Sequence, residues 1–427
     1  MEAMEDRIRR HFEAYEIFSV RESKKTFEAR DGEVSGIEFR EERGYAIRGI
    51  KESKLFFSYT FEDEAAACDA ILKNLEILFP YLEEDRAYVF PEPSPAYPTL
   101  NLLDREGLSL SDERKAEIAA EMDSLILSFD RRIVKTRSCT LSERYLEVKI
   151  LNSSGLSLRA EKTIYTIFAM AIAKERDEVS FYDYSSSTHL KDLDYRTFAF
   201  GLAEKTISFL GAERIRTGVY DGVIRPKAMA ELLRILSSSF LSENLFKGKT
   251  RLTERGKRYF SLVLNIVDSG LMGIGAFPFD GEGVRSGEIE VVREGCLLEF
   301  LYDSYYGRRL GVPSTGNAVR DSLKDPPRCG VRGMFIREGR EDVAEEGIVI
   351  EELMGVHTAN PVTGEFSLGA DGFLVGKGGK VPFRGVIFAG NLFELLRSVV
   401  SVGTDTKFYG LFGSPSVAVS GIKISGD

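Results

Sequence analysis

The order of β-rich runs and amphipathic helices is the sequence feature that most constrains how this chain folds. Several short β-rich runs precede one helical stripe between residues 26 and 79, and the same order recurs between residues 145 and 210. In the first region, the pair Asp31–Gly32 predicts a hairpin turn, because both residues tolerate a positive φ. Strands and helices in this order favour a sheet that is covered by helices on one side. The sequence therefore predicts an α+β fold.

The two regions agree element by element. Each has four β-rich runs and then a helix whose apolar residues recur at helical spacing. The first region contains Thr26–Ala29, Val34–Arg40, Tyr45–Ile50, Leu55–Tyr59 and a helix from Ala65 to Phe79; the second contains Tyr145–Ile150, Leu156–Ala160, Tyr165–Ala173, Val179–Tyr184 and a helix from Tyr195 to Phe209. We expect an internal duplication, with both helices on one face of a shared antiparallel sheet. The alternative is that the match is accidental, since any α+β domain yields similar strings.

The second half of the chain has a different character. A proline-rich connector (88–99) and a charged helix (111–129) lie between the two units, and Pro226 begins a further amphipathic helix. From Asp268 onward, glycine and short β runs predict an antiparallel sandwich or a barrel-like domain. We also expect short helices at Arg340–Glu346 and Leu392–Val400. The predicted organisation is an N-terminal α+β domain over residues 1–215 and a C-terminal β-rich domain over residues 216–427.

The charge balance argues against two classes of partner. Lys and Arg total 57 against 67 Asp and Glu, a net charge of −10, and the two signs are interspersed. No basic stripe is available to neutralise phosphates, so we expect no nucleic-acid partner. No apolar run reaches the ~18 residues of a membrane span, and the charged start lacks a signal core, so we expect a cytoplasmic protein with no membrane partner.

Metal-ligating residues are scarce. The histidines are His11, His189 and His357, and the four cysteines are scattered without a CxxC pair. No HExxH motif is present, which restricts zinc chemistry, because histidine is the commonest neutral-pH metal ligand. The acidic pair Asp280 and Glu282 is expected in a solvated loop.

The segment MGVHTANPVTGEFSLGADG, residues 354–372, is the most distinctive in the chain. It reads as a strand, an ordered turn and a second strand. The segment resembles the TldD/PmbA family, specifically its PmbA (TldE) branch. Shorter matches to the family follow in the expected order: Phe279–Gly283, Pro313–Asn317, Gly390–Leu392 and Ser414–Ser416.

The resemblance implies a role within a two-subunit protease. In this family, a TldD-type subunit carries zinc through a helical HExxxH-type motif and a later cysteine. It pairs with a TldE-type subunit that lacks those ligands, and the heterodimer degrades unfolded peptides. The corresponding helix here is Pro226–Asn244, and its stretch RILSSS (234–239) has neither an imidazole nor a carboxylate. The resemblance therefore implies a subunit with no catalytic residue and no cofactor of its own, inactive alone, whose zinc is held by its partner. The older family label, modulator of DNA gyrase, is interpreted as an indirect genetic effect.

The expected contact surface lies in the distinctive segment. Alternation places Glu365 and Ser367 on one face of a strand and Phe366 on the other, where it packs on the core. We expect a strand edge there for an extended peptide; the alternative is an internal strand paired on both sides. The residues expected to face substrate or partner are His357, Thr358, Asn360, Glu365, Phe366 and Ser367.

Several alternatives stay open. A structural role for His357, beside the turn it precedes, competes with a partner-facing role, substrate contact and metal binding. At the level of function, the alternatives are a free-standing homodimer that binds peptides or regulates, and an autonomous peptidase with an unrecognised site.

Overall fold

The N-terminal half is built on one antiparallel sheet, sheet 1. The computed structural model describes the backbone of residues 1–427 and the side chains of all of them except Glu2 and Ala65. The strand order is β3-β2-β1-β4-β5-β6. The bounds are β1 Ala14–Arg30, β2 Glu33–Lys51, β3 Lys54–Thr60, β4 Ile133–Asn152, β5 Ser157–Lys174 and β6 Glu178–Ser187, with helices α1 Glu2–Ile8, α2 Glu64–Leu78, α3 Arg105–Ser109, α4 Asp112–Phe129 and α5 Tyr195–Ser208.

The strand order agrees with the predicted duplication. Each unit consists of three strands that run outward from the centre of sheet 1 and then a helix: β1-β2-β3-α2 and β4-β5-β6-α5. The central strands β1 and β4 are antiparallel neighbours. Asp31 and Gly32 have φ of 54° and 76°, as a hairpin turn between β1 and β2 requires. The prediction of four runs per unit was wrong, because two pairs of runs merge into the single long strands β2 and β5.

The helices cover one face of sheet 1, as predicted. On β1, Ile17 packs in the core beneath α2, and Phe27 packs in the core beneath α4 and α5. Both positions are odd-numbered, so their side chains point to the same face. The even-numbered Phe18 points to the other face and contacts residues of the C-terminal half, including Phe279 and Leu323. The other face of sheet 1 is therefore not covered by the N-terminal helices and is turned toward the second half of the chain.

The C-terminal half is β-rich and contains a closed barrel. Sheet 2 has the order β16-β15-β14-β7-β20-β17, and an additional pairing of β16 with β20 closes it. Sheet 3 has the order β10-β9-β8-β13-β19-β18, and β11 pairs with β12. The bounds are β7 Gly218–Ile224, β8 Ile266–Ser269, β9 Glu288–Arg293, β10 Cys296–Leu297, β11 Ala318–Val319, β12 Arg328–Cys329, β13 Met334–Ile336, β14 Gly347–Met354, β15 Glu365–Gly376, β16 Gly379–Asn391, β17 Val399–Val402, β18 Lys407–Tyr409, β19 Phe412–Ser414 and β20 Val417–Ser425.

Four helices complete this half: α6 Pro226–Ser237, α7 Ser242–Phe246, α8 Ser304–Leu310 and α9 Leu392–Arg397. The predicted helix at Arg340–Glu346 is wrong, since these residues form an irregular loop. The run is short and has no apolar stripe to bury, and helices of this length need tertiary packing. The predicted division at residues 215 and 216 falls between α5 and β7 and stays a prediction. Of the helices in the described part of the chain, none is both long and apolar enough to cross a membrane.

Candidate functional site

A cleft separates the uncovered face of sheet 1 from the C-terminal half. Its volume is about 830 Å³. Strands β1, β4 and β5 form one wall, and the end of α6 with the loops around Phe279 and Arg320 forms the other. The apolar part of the lining includes Phe18, Val20, Leu146, Val148, Ile164, Phe277 and Phe279. The loop Phe279–Gly283 contributes Phe279, Asp280 and Gly281 to this lining, and the cleft is therefore our candidate site.

The C-terminal end of helix α6 lies at this cleft. Pro226 occupies the first turn, where its missing N–H costs nothing, and the apolar face packs between sheets 2 and 3. The helix ends at Ser237, followed by a 3₁₀ turn over Ser238–Phe240, and Ser237 and Ser238 line the cleft. The prediction of one helix over Pro226–Asn244 was therefore wrong beyond Ser237, because the chain turns there and restarts at α7.

The side chains of α6 do not fit a zinc ion. The helix has one carboxylate, Glu231, and it accepts hydrogen bonds from Arg234 at 2.9 and 2.6 Å. It has no histidine or cysteine. A catalytic zinc site needs about three protein ligands. Among the side chains that the structure describes, no group of three or more His, Cys, Asp or Glu residues is placed to hold a metal.

The loop Phe279–Gly283 joins the two halves through buried charges. Glu282 accepts a hydrogen bond from Arg48 of β2 at 2.8 Å, and Arg48 also contacts Glu16 of β1 at 2.9 and 2.5 Å. Arg320 donates to Glu16 as well. Asp280 and Glu282 are 4% and 3% exposed, so the expectation of a solvated loop was wrong. Their charges are matched by arginines and backbone N–H groups that sequence spacing does not reveal.

Burial and neighbouring charges shift the pKa values around this loop. Burial, together with the nearby Glu282 carboxylate, raises the pKa of Asp303 to about 7. The pKa of Asp280 is raised by burial and by Glu282. Burial acts in the same direction on Glu282, but the charge and hydrogen bonds of Arg48 outweigh it and lower the pKa. One loop thus holds two carboxyl groups with opposite shifts, because only Glu282 has an arginine directly bound.

The six predicted site residues lie on the segment from the end of β14 to the start of β15. His357 and Thr358 are exposed on a 3₁₀ turn between β14 and β15, and the His357 side chain makes no hydrogen bond with any described residue. Asn360 organises the next turn: its Oδ1 accepts hydrogen bonds from the N–H groups of Val362 and Thr363 at 2.9 and 3.1 Å. None of the six belongs to the described lining of the cleft. Their role in binding stays a prediction.

Strand β15 begins with the predicted alternation. Phe366 is buried against Phe388, with ring centroids 4.8 Å apart, whereas Glu365 and Ser367 are exposed. Strand β16 pairs with the whole of β15, but β14 pairs only with residues 369–375. Residues 365–368 therefore pair with a strand on one side only. On the other side, the Asn360 N–H donates a hydrogen bond to the Glu365 carbonyl at 2.8 Å.

The turn before β15 is fixed to the cleft wall. The Pro361 carbonyl accepts a hydrogen bond from Ser239 at 3.4 Å, and Ser239 follows the cleft-lining Ser238. The Thr363 carbonyl accepts hydrogen bonds from Asn391 at 2.8 Å and from Arg251 at 3.1 Å. The distinctive segment and the end of α6 are therefore direct neighbours, although they are 122 residues apart in sequence.

Comparison with models of known protein families assigns the chain to a family. Family models described as PmbA/TldA metallopeptidase domain 1, central domain and C-terminal domain match residues 15–76, 105–211 and 217–426. These matches cover most of the chain, which therefore belongs to the PmbA/TldD family.

Individual relatives agree with this assignment. Metalloprotease PmbA of Escherichia coli O157:H7 is 26% identical and covers 93% of this chain and 89% of its own. The uncharacterized protein MJ0231 of Methanocaldococcus jannaschii is 26% identical, with 88% of each chain covered. The crystal structure of TldE from Thermococcus kodakarensis has a TM-score of 0.91 at 23% identity and covers 99% of this chain and 100% of its own. The fold is that of a TldE protein.

Proposed function

We propose that this chain is the metal-free subunit of a TldD/TldE-like metalloprotease complex that degrades unfolded peptides. It shapes the substrate channel, and the zinc belongs to its partner. One observation carries the proposal. The cleft reaches the end of α6, the helix on which a TldD-type subunit is expected to hold zinc, and α6 offers only Glu231, already bound to Arg234.

The form of the cleft supports peptide binding. Its walls combine apolar side chains with strands of sheet 1, and apolar lining favours the exposed hydrophobic residues of an unfolded chain. Residues 365–368, which have no strand partner on one side, follow the turn that is bound to Ser239 beside the same wall. A strand edge binds extended peptides through main-chain hydrogen bonds, with little dependence on sequence.

The exposed turn supports a partner-facing role for the segment. His357 and Thr358 project from the surface beside the anchored turn, so a TldD-type subunit placed over the cleft would contact them. In that assembly, this subunit closes the channel and its partner supplies the zinc. A second copy of the chain in the same position would form the alternative homodimer.

The test is a cleavage assay with an unfolded polypeptide substrate. The chain is assayed alone, a TldD-type zinc subunit is assayed alone, and the two are then mixed. We expect cleavage from the mixture and none from this chain alone. The variant His357→Ala should weaken assembly or cleavage, and His11→Ala, on the distant N-terminal segment, serves as the matched control. Cleavage by this chain alone would favour the autonomous peptidase. Peptide binding with no effect of the zinc subunit would favour the free-standing homodimer.

A further inference from the structure

Lys162 is a buried cation on the wall of the cleft. It lies on β5, is 4% exposed and lines the cleft. Its Nζ donates hydrogen bonds to the carbonyl oxygens of Ile274 and Ala276, the second at 2.9 Å. An ammonium group has three N–H donors. Two of these N–H groups donate the hydrogen bonds to Ile274 and Ala276, and the third is available to a ligand.

The charges that act on Lys162 are cationic. They come from Arg332 and Arg144. Arg144 is paired with Glu22 at 2.7 and 2.6 Å, and Arg332 lies near Asp268 and Asp280. Lys162 has no ion pair with any carboxylate in the described part of the chain. A buried cation without a counter-charge is costly, and such charges are usually paired.

The pKa of Lys162 reflects this imbalance. Burial, together with the charges of Arg332 and Arg144, lowers the pKa to about 7. A carboxylate brought beside the Nζ would act in the opposite direction and raise the pKa, because an opposite charge stabilises the ammonium form.

We propose that the cleft binds the carboxylate group of a peptide at Lys162, with the peptide's neighbouring apolar residues on Leu146 and Phe277. This inference rests on the proposed peptide-binding function and adds a preference for carboxylate-bearing peptides. The apolar neighbours are on the same wall: Leu146 pairs with Lys162 across β4 and β5, and Phe277 follows the loop that Lys162 holds. The carboxylate is either the C-terminus of the peptide or an Asp or Glu side chain.

Three fluorescent peptides of otherwise identical sequence distinguish a C-terminal carboxylate from a side-chain carboxylate. The first has a free C-terminus and Gln at a central position, the second has an amidated C-terminus and Glu there, and the third has neither carboxylate. Binding to the full chain is measured by anisotropy. We expect one of the charged peptides, or both, to bind about tenfold more tightly than the neutral one, as a charge-assisted hydrogen bond supplies. Which of them does so identifies the source.

Substitutions test whether the preference for carboxylate-bearing peptides depends on Lys162. Lys162→Met should reduce the difference to less than about twofold. Lys149→Met is the matched control, because Lys149 points to the opposite face of sheet 1 and its side chain is 44% exposed. Equal affinity of all three peptides for the unmodified protein would overturn the carboxylate site and leave peptide binding intact. Failure of all three to bind would overturn the proposed peptide cleft itself.

A second measurement needs no variant and so does not depend on the folding of Lys162→Met. Near pH 8, the free Lys162 is mostly neutral, and a bound carboxylate would restore its proton. Calorimetry in two buffers of different ionisation enthalpy should detect net proton uptake with a charged peptide and none with the neutral peptide. The absence of uptake with either charged peptide would contradict the site.

Discussion

At the scale of single residues, Gly364 shows how closely the turn before β15 fits its surroundings. Its φ is +78°, and an added Cβ would lie 2.6 Å from the ring of Phe393. We expect Gly364→Ala to lower the free energy of unfolding by about 2–3 kcal/mol, through both backbone strain and the clash. Gly211→Ala is the control: φ is +72° there, but the added Cβ meets no described atom within 4 Å, so the cost should be about 1 kcal/mol. Equal losses in urea titrations would contradict the predicted clash.

Asp303 gives a prediction on pH. Its pKa is about 7 in the folded protein, above the ordinary value of 3.8. Between these values, the folded state binds more protons than the unfolded state, so stability falls as pH rises from about 4 to 7. Asp303→Asn lacks this titration and keeps an acceptor for the Tyr306 N–H, which Asp303 binds at 2.7 Å. As the pH rises over that interval, the free energy of unfolding of the variant should increase relative to that of the unmodified protein by about 1 kcal/mol per pH unit. If urea unfolding gave the same difference in free energy between the two proteins from pH 5 to 7, the raised pKa of Asp303 would be contradicted.

At the scale of elements, β15 tests whether alternation decides burial. Phe366→Asp places a carboxylate among apolar side chains around Phe388 and should cost about 3 kcal/mol or more. Ser367→Asp, one residue away on the exposed face, should change stability by less than about 0.5 kcal/mol. Thermal or urea unfolding measures both. Similar losses from the two substitutions would mean that the faces of β15 are not distinct.

Local patterns predicted many elements, and their errors have physical causes. The Asp31–Gly32 turn and the helices that begin at Pro226 and Leu392 follow from backbone preferences of a few residues. By contrast, residues 41–43 are charged and show no apolar alternation, yet they continue β2, because β1 supplies their backbone partners. Pairing of this kind depends on a distant strand, and a local pattern cannot reveal it.

At the scale of the whole molecule, Arg48 ties the two halves of the chain together. Arg48→Met would leave Glu282 without its arginine and weaken the neutralisation of Glu16, so we expect a loss of about 3–5 kcal/mol. The control is Arg21→Met, which removes an exposed pair with Glu41 and should cost less than about 1 kcal/mol. Urea unfolding of both variants checks this difference. Losses of the same size would contradict a structural role for the buried network.

The candidate site could be predicted only in part. The motifs at 279–283 and 354–372 identified the family, and both lie at or beside the cleft. Arg48 and Lys162 carried no recognisable signal, because each sits on a β strand of ordinary composition. Their importance comes from burial against loops that are more than 100 residues away in sequence. Such contacts follow from the assembly of the two halves.

The proposed function requires that this chain contributes no zinc site. The most direct test is the zinc content of the purified full-length chain, measured by elemental analysis after incubation with zinc and removal of unbound metal. A TldD-type zinc subunit treated in the same way is the positive control. Since α6 provides Glu231 and no imidazole, we predict far less than one zinc per chain. One tightly bound zinc per chain, lost together with peptide cleavage on chelation, would contradict the assignment of this chain as a metal-free subunit.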